Sequence, residues 1–232
     1  MSSSKTALVV RGGWDGHQPR EATDLFIPFM EVNGFTVRIE ETPEVFTDAS
    51  YMSTVDLILH CTTMSDISGD QVTGLRAAVE QGTGLAGWHG GIVDSYRNSA
   101  DYLQLVGGQF ACHPGQHADE PLAGHPENFV QYTVNMLPAA HEHPITRGIN
   151  DFDLITEQYW LLTDNYNDVL ATTTQKVRRG DPWQREVTSP AIWTRQWGQG
   201  RVFVSAPGHD TTILQDTNIR TIIERGLLWA SR

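Results

Sequence analysis

Lysine is almost missing from this chain: Lys5 and Lys176 are the only two in 232 residues. A Schiff-base mechanism needs a desolvated amine. Lys5 lies in a polar leader and Lys176 in a loop-like stretch, so that chemistry is set aside. Positive charge is scarce altogether, with 16 Lys and Arg against 28 Asp and Glu and a net charge of −12. Nucleic-acid binding leans on a basic patch, and the single tight cluster, Lys176, Arg178 and Arg179, is too small to supply one. Cysteine is limited to Cys61 and Cys112, which make no disulfide framework and suit a reducing compartment. No apolar run approaches the ~18 residues of a membrane-spanning helix. The opening Met-Ser-Ser-Ser-Lys has no apolar stretch of the secretory type behind it. These absences predict a cytoplasmic protein with neither a membrane nor a nucleic-acid partner.

What is present is ordinary for a globular protein: 39% hydrophobic and 19% charged residues, long enough for one domain, 1–232, with a substantial core. Thr6–Val10 reads as an apolar strand. Ala22, Leu25, Phe26, Phe29 and Met30 recur at helical spacing and predict a helix over Glu21–Asn33. Phe35–Ile39 and Leu57–Cys61 read as strands. Ser68 can open a helix that buries Val72, Leu75 and Val79, and Gly84–Trp88 reads as a buried strand. This alternation predicts a parallel sheet with helices on both faces. Further strand signals fall at Phe129–Val134, Val169–Thr174, Pro190–Thr194 and Arg201–Ser205, with a closing helix over Asn218–Ala230.

In open α/β sheets, ligands bind beyond the carboxyl ends of the strands, and histidines gather at such places here. His17 closes the glycine-rich loop Arg11–His17 after the first strand. That loop lacks the Gly-Lys-Ser/Thr ending of a phosphate loop and the spacing of a dinucleotide fingerprint, so no nucleotide is expected; nothing argues for flavin. His89 follows Gly84–Trp88 at a turn where Gly90 and Gly91 are expected to supply the unusual backbone angles. His113 follows Gln109–Cys112, and His209 follows Arg201–Ser205. Glu157 lies between Ile155 and Tyr159. If these groups converge, two roles compete: ligands for zinc or another divalent transition metal, or acids and bases near neutral pH. His60, inside a strand, reads as a core residue. Cys112 reads as a small buried hydrophobe, and His117, His125, His141 and His143 as solvated.

Taken together, several stretches resemble the ThuA-like family, named for trehalose utilisation. They are Gly87-Trp88-His89-Gly90-Gly91 with Asp94, Gly107-Gly108-Gln109-Phe110 with His113-Pro114, His143–Gly148, Glu157-Gln158-Tyr159, and Gly208-His209. The resemblance implies a class I glutamine-amidotransferase-like fold, that is, a flavodoxin-like three-layer sandwich around a mostly parallel sheet. Those amidotransferases carry a cysteine in a Gly-x-Cys-x-Gly elbow. His89 stands in its place here, and Thr211 stands where an acid is expected after His209, so a glutaminase is not implied. What is implied is a role in disaccharide or keto-sugar metabolism, and the residues add the expectation of a metal-assisted or acid-base enzyme acting on a disaccharide, glycoside or keto-sugar by isomerisation, elimination or hydrolysis. In that reading His89, Asp94, Glu157 and His209 are catalytic, with Asp94 holding His89. His17, His113, Glu157 and His209 are metal ligands, zinc first, and Trp14, Trp88, Tyr159 and Trp160 present apolar faces to sugar rings. The alternative is a non-catalytic sugar-sensing or subunit-interaction module. A homodimer is the default by base rate.

Overall fold

The computed structural model describes residues 5–232. Eleven strands are present among them: β1 (Lys5–Gly13), β2 (Phe35–Glu40), β3 (Leu57–Thr63), β4 (Gly84–Trp88), β5 (Gly108–Cys112), β6 (Val130–Met136), β7 (Phe152–Thr156), β8 (Trp160–Thr163), β9 (Asp168–Gln175), β10 (Val187–Trp197) and β11 (Gly200–Ser205). The helices are α1 (Pro19–Asp24), α2 (Ile27–Val32), α3 (Ala49–Met52), α4 (Gly69–Glu80), α5 (Gly90–Val93), α6 (Ala100–Val106), α7 (Thr211–Leu214) and α8 (Thr217–Ala230). Nine strands form one sheet in the order β2-β1-β3-β4-β11-β10-β9-β6-β7, and β5 pairs with β8 in a small second sheet.

The two-residue period of a strand sorts the cores. Ala7, Val9, Leu57 and Leu59 join Ala22, Phe26 and Met30 and the α8 residues Ile219, Ile222 and Leu227 in one apolar cluster. Leu8, Val10, Ile58 and Leu85 face the other way, onto Val72, Leu75 and Val79 of α4. Helix α4 starts as the sequence predicts, with a reciprocal cap between Ser68 and Gln71. The helix expected over Glu21–Asn33 is instead two, α1 and α2. Pro28 sits in the first turn of α2, where its missing N–H costs nothing; inside a longer helix it would break the ladder.

The sheet is not mostly parallel. Strands β2, β1, β3, β4 and β11 run parallel. From β11 onward every pairing, through β10, β9 and β6 to β7, is antiparallel. Only Gly198 and Gln199 separate β10 from β11, and a link that short can only make a hairpin, because a parallel crossover needs a dozen residues or more. Direction alternates across this half, so β7 points the same way as β11. The carboxyl ends of β1, β4, β11 and β7 therefore share one edge of the sheet.

Candidate metal centre

Four side chains from those four ends meet: His17 after β1, His89 after β4, Glu157 after β7 and His209 after β11. Each offers one ligand atom, and these atoms lie within 4.8 Å of one another. His17, His89 and Glu157 are buried and His209 half-buried. A tetrahedral metal with bonds of about 2.1 Å would hold its ligand atoms about 3.4 Å apart, so the set would have to contract to close on one.

His89 sits at the centre of it. Its backbone has φ 49° and ψ −144°, a region that costs a non-glycine residue about 1–3 kcal/mol. The sequence assigned this turn's unusual angles to Gly90 and Gly91. Instead the histidine carries the positive φ, and neither glycine does. The glycines make room: a Cβ on Gly90 would lie 2.5 Å from Cε1 of His17, and one on Gly91 would meet Cα and Sγ of Cys61 at 3.0 Å. The turn thus aims one imidazole while letting a second pack beside it, with ring centroids 4.8 Å apart. Tyr159 stacks on the His89 ring at 3.9 Å.

The hydrogen bonds fix which nitrogen faces where. His89 Nδ1 lies 2.8 Å from the Ala206 carbonyl oxygen. A carbonyl only accepts, so Nδ1 carries the proton, and in the neutral ring Nε2 is a bare lone pair. That lone pair faces Glu157 Oε2 at 2.9 Å and His209 Nδ1 at 3.4 Å. His209 Nδ1 is itself 3.2 Å from the same carboxylate oxygen. His17 Nδ1 is occupied by Thr63 Oγ1 at 3.0 Å, which leaves Nε2 to bind a cation. Asn128 donates to Glu157 Oε1 at 2.6 Å, and Tyr132 donates to the Glu157 backbone oxygen at 3.2 Å.

Burial pushes the His17 imidazole down to about 3, with like charge from His89 and His209 acting in the same direction. Burial also lowers His89, against the pull of Glu157. For Glu157, burial favours the neutral acid, but hydrogen bonds from His209 and His89 and their charge outweigh it. The carboxyl group is held well below the usual carboxylate range. The centre gathers one carboxylate and three imidazoles, a donor set that fits zinc or another divalent transition metal.

Other expected site residues lie elsewhere. His113 is outside the four, with Nε2 3.6 Å from Glu157 Oε1 and a buried Nδ1 that has no partner. Asp94 does not hold His89: its carboxylate grips Arg97 in two bonds of 2.5 and 2.7 Å, and the Ala206 carbonyl does the orienting. Trp88 is 2% exposed and packs on Phe26 at 4.9 Å, so it belongs to the core rather than to a sugar site; β4 is buried on both faces. Trp160 packs edge-on against Trp183, away from the cluster. Trp14 alone of the four aromatics is well exposed, at 48%, with its ring edge-on to His17 at 4.8 Å. Cys112 is exposed, not buried. His60 is a core residue as expected, walled by Phe46, Tyr96 and Tyr102. Thr63, Asn128 and Tyr132 escaped sequence reasoning, since a lone polar residue at a loop or strand end carries no signal of its own.

The fold and this cluster define the class: an α/β protein whose polar centre is assembled beyond the carboxyl ends of its strands. Within that class the chain belongs to the ThuA family, described as trehalose utilisation, whose sequence model matches residues 6–230. The family sets the protein in a carbohydrate-related context. Among solved structures, the chain is similar to a ThuA-like protein from Bacteroides uniformis, with a TM-score of 0.72, 15% identity, and coverage of 98% of this chain and 91% of that one. A ThuA-like protein from Parabacteroides merdae gives 0.71 at 17% identity, covering 97% and 89%. A cytoplasmic protein from Salmonella typhimurium LT2 gives 0.61 at 16% identity, covering 98% and 100%. At these identities the likeness is one of fold. No curated protein matches the chain. Among the described residues, no helix is long and apolar enough to cross a membrane.

Proposed function

We propose that the protein is a carbohydrate-metabolism enzyme that acts on a disaccharide, glycoside or keto-sugar derivative, with His17, His89, His209 and Glu157 as ligands of a divalent transition metal, zinc first. One observation carries this. Ligand-type atoms of His17, His89, Glu157 and His209 converge within 4.8 Å of one another at the strand ends. His89 Nε2 lies 2.9 Å from Glu157 Oε2 and 3.4 Å from His209 Nδ1, so nitrogen and oxygen atoms from three strand ends face one point. Bound there, a metal supplies Lewis acidity that polarises a carbonyl or hydroxyl oxygen.

The chain's own residues supply the rest. His113, at the edge of the cluster and partly open to solvent, is placed to take or give a proton at Nε2. Asn128 and Tyr132 hold Glu157 in orientation, as partners of metal ligands commonly do. Trp14 offers the exposed apolar face beside His17 that a sugar ring needs. The parallel half, in the order β2-β1-β3-β4-β11, supports reading this part as flavodoxin-like, with its site at the strand ends. Thiolate chemistry has no nucleophile at the elbow, because His89 occupies it.

The test is elemental analysis of the purified protein by mass spectrometry, together with turnover of oxidised glycosides. Expected are near-stoichiometric metal and an activity that disappears in His89→Ala while the circular dichroism spectrum is unchanged. Protein that stays metal-free after exposure to zinc, or full turnover by His89→Ala, overturns the reading.

A further inference from the structure

We infer that a second cavity, on the solvent side of β6, β7 and β9, is a carbohydrate subsite that takes a neutral sugar residue. The cavity measures about 670 Å³ and is lined by Gln131, Asp153, Gln158, Thr174 and Lys176, with Gln116 and Leu122 contributed by the loop before β6. Its volume lies within the roughly 300–1,000 Å³ usual for small-molecule sites. It is separate from the imidazole cluster, none of whose four members lines it.

Gln158, 4% exposed, reaches the cavity and is held from behind by Gln175, which donates to its backbone oxygen at 3.0 Å. Gln116, Gln131, Asp153 and Thr174 line the walls with amide, carboxylate and hydroxyl groups. A sugar hydroxyl both donates and accepts, so a ring carrying several of them suits these walls.

Charge argues for a neutral ligand. Of the Lys and Arg side chains at the cavity, Arg178 is engaged by Glu120 at 2.8 Å, and the lining carries two carboxylates, Glu120 and Asp153, against Lys176 and Arg178. The subsite also shares a wall with the metal centre. Tyr132 lines the cavity and donates to the backbone of Glu157, and Gln158 is the next residue in the chain. A sugar seated on Gln158 therefore steadies the carboxylate ligand from behind. The inference rests on the carbohydrate reading above and not on the metal.

Isothermal titration of the full-length protein with trehalose and with glucose tests it. Saturable binding of at least one sugar is expected, weakened at least tenfold in Gln158→Leu. Because Gln158 is buried and its variant can misfold, Gln131→Trp serves alongside: it fills the cavity from an exposed position and is expected to weaken binding as much. His17→Ala, which removes a metal ligand, is expected to keep the sugar affinity while losing metal. Wild-type affinity in Gln131→Trp overturns the subsite. So does binding lost only in His17→Ala, which would locate the sugar at the imidazole cluster, or the absence of binding by either sugar. If metal content and turnover survive those failures, the proposed function stands without the subsite.

Discussion

Two groups of buried histidine occupy this molecule, and they differ in one respect that decides what each can do. His60, in the middle of β3, is fully buried among Phe46, Tyr96 and Tyr102, and neither ring nitrogen has a hydrogen-bond partner. His17, His89 and His209 lie at the strand ends around Glu157. Burial alone pushes His60 down to about 3, and it is also the leading cause for His17, which falls to about 3. Desolvation therefore does not separate the two groups; a carboxylate does. Without one, a buried imidazole is a neutral aromatic filler. With one, imidazole nitrogens and a carboxylate oxygen face each other within hydrogen-bond reach and form a set of metal-ligand type. Counting buried histidines would miss this, whereas tracing the partner of each nitrogen exposes it.

The sharpest way to break the comparison is to remove the carboxylate and keep its shape. Glu157→Gln is expected to lower metal affinity at least a hundredfold, read by competition with a chromophoric chelator. Retention of tight binding would show that the imidazoles suffice. Gly90→Ala comes next. Its methyl group would strike the His17 ring at 2.5 Å, so His17 is expected to shift, with metal affinity down roughly tenfold and a stability loss of about 1–3 kcal/mol, read by urea denaturation.

His60→Phe tests the other group. A histidine whose folded pKa lies below its unfolded value of 6.5 takes up a proton on unfolding between those values. Its contribution to stability is complete above about pH 6.5 and is lost as the pH falls towards about 3. Replacing His60 should flatten the fall of stability with acidification by roughly 1 kcal/mol per pH unit in that window, with little change at pH 7.5. An unaltered slope would mean that His60 does not stay neutral. The smallest effect is expected of Asp94→Asn. It breaks the grip on Arg97, costs at most about 1–2 kcal/mol, and leaves metal affinity unchanged. A large loss of metal would return Asp94 to the site.

The parallel half and the three histidines of the cluster were legible in the sequence, for one physical reason. β1, β4 and β11 are short apolar runs, and a histidine that follows such a run falls at the sheet's carboxyl edge. The antiparallel half was not legible as such. Single strands such as β6 and β9 show their alternation, but direction is set by the connections, and only the Gly198-Gln199 hairpin announces one locally. Trp88 was misread because an aromatic residue beside a histidine suggests a sugar platform, when the two-residue period turns its side chain into the core opposite His89. Asp94 was misread by proximity along the chain: three residues on, Arg97 satisfies it. Glu157 was singled out by its place between Ile155 and Tyr159, and the family's motif order then included it; the aromatics around it would equally describe packing.

The four side chains of the cluster stand at positions 17, 89, 157 and 209, each delivered by a different strand end. Bringing such distant points together carries a loop-closure cost that the finished sheet alone can meet, so an unfolded or half-built chain presents scattered imidazoles and no chelate. Metal captured with high affinity would then act as a ratchet on maturation: it would hold newly completed molecules in the native state by mass action and make the amount of tightly held ion a direct count of chains that have finished folding.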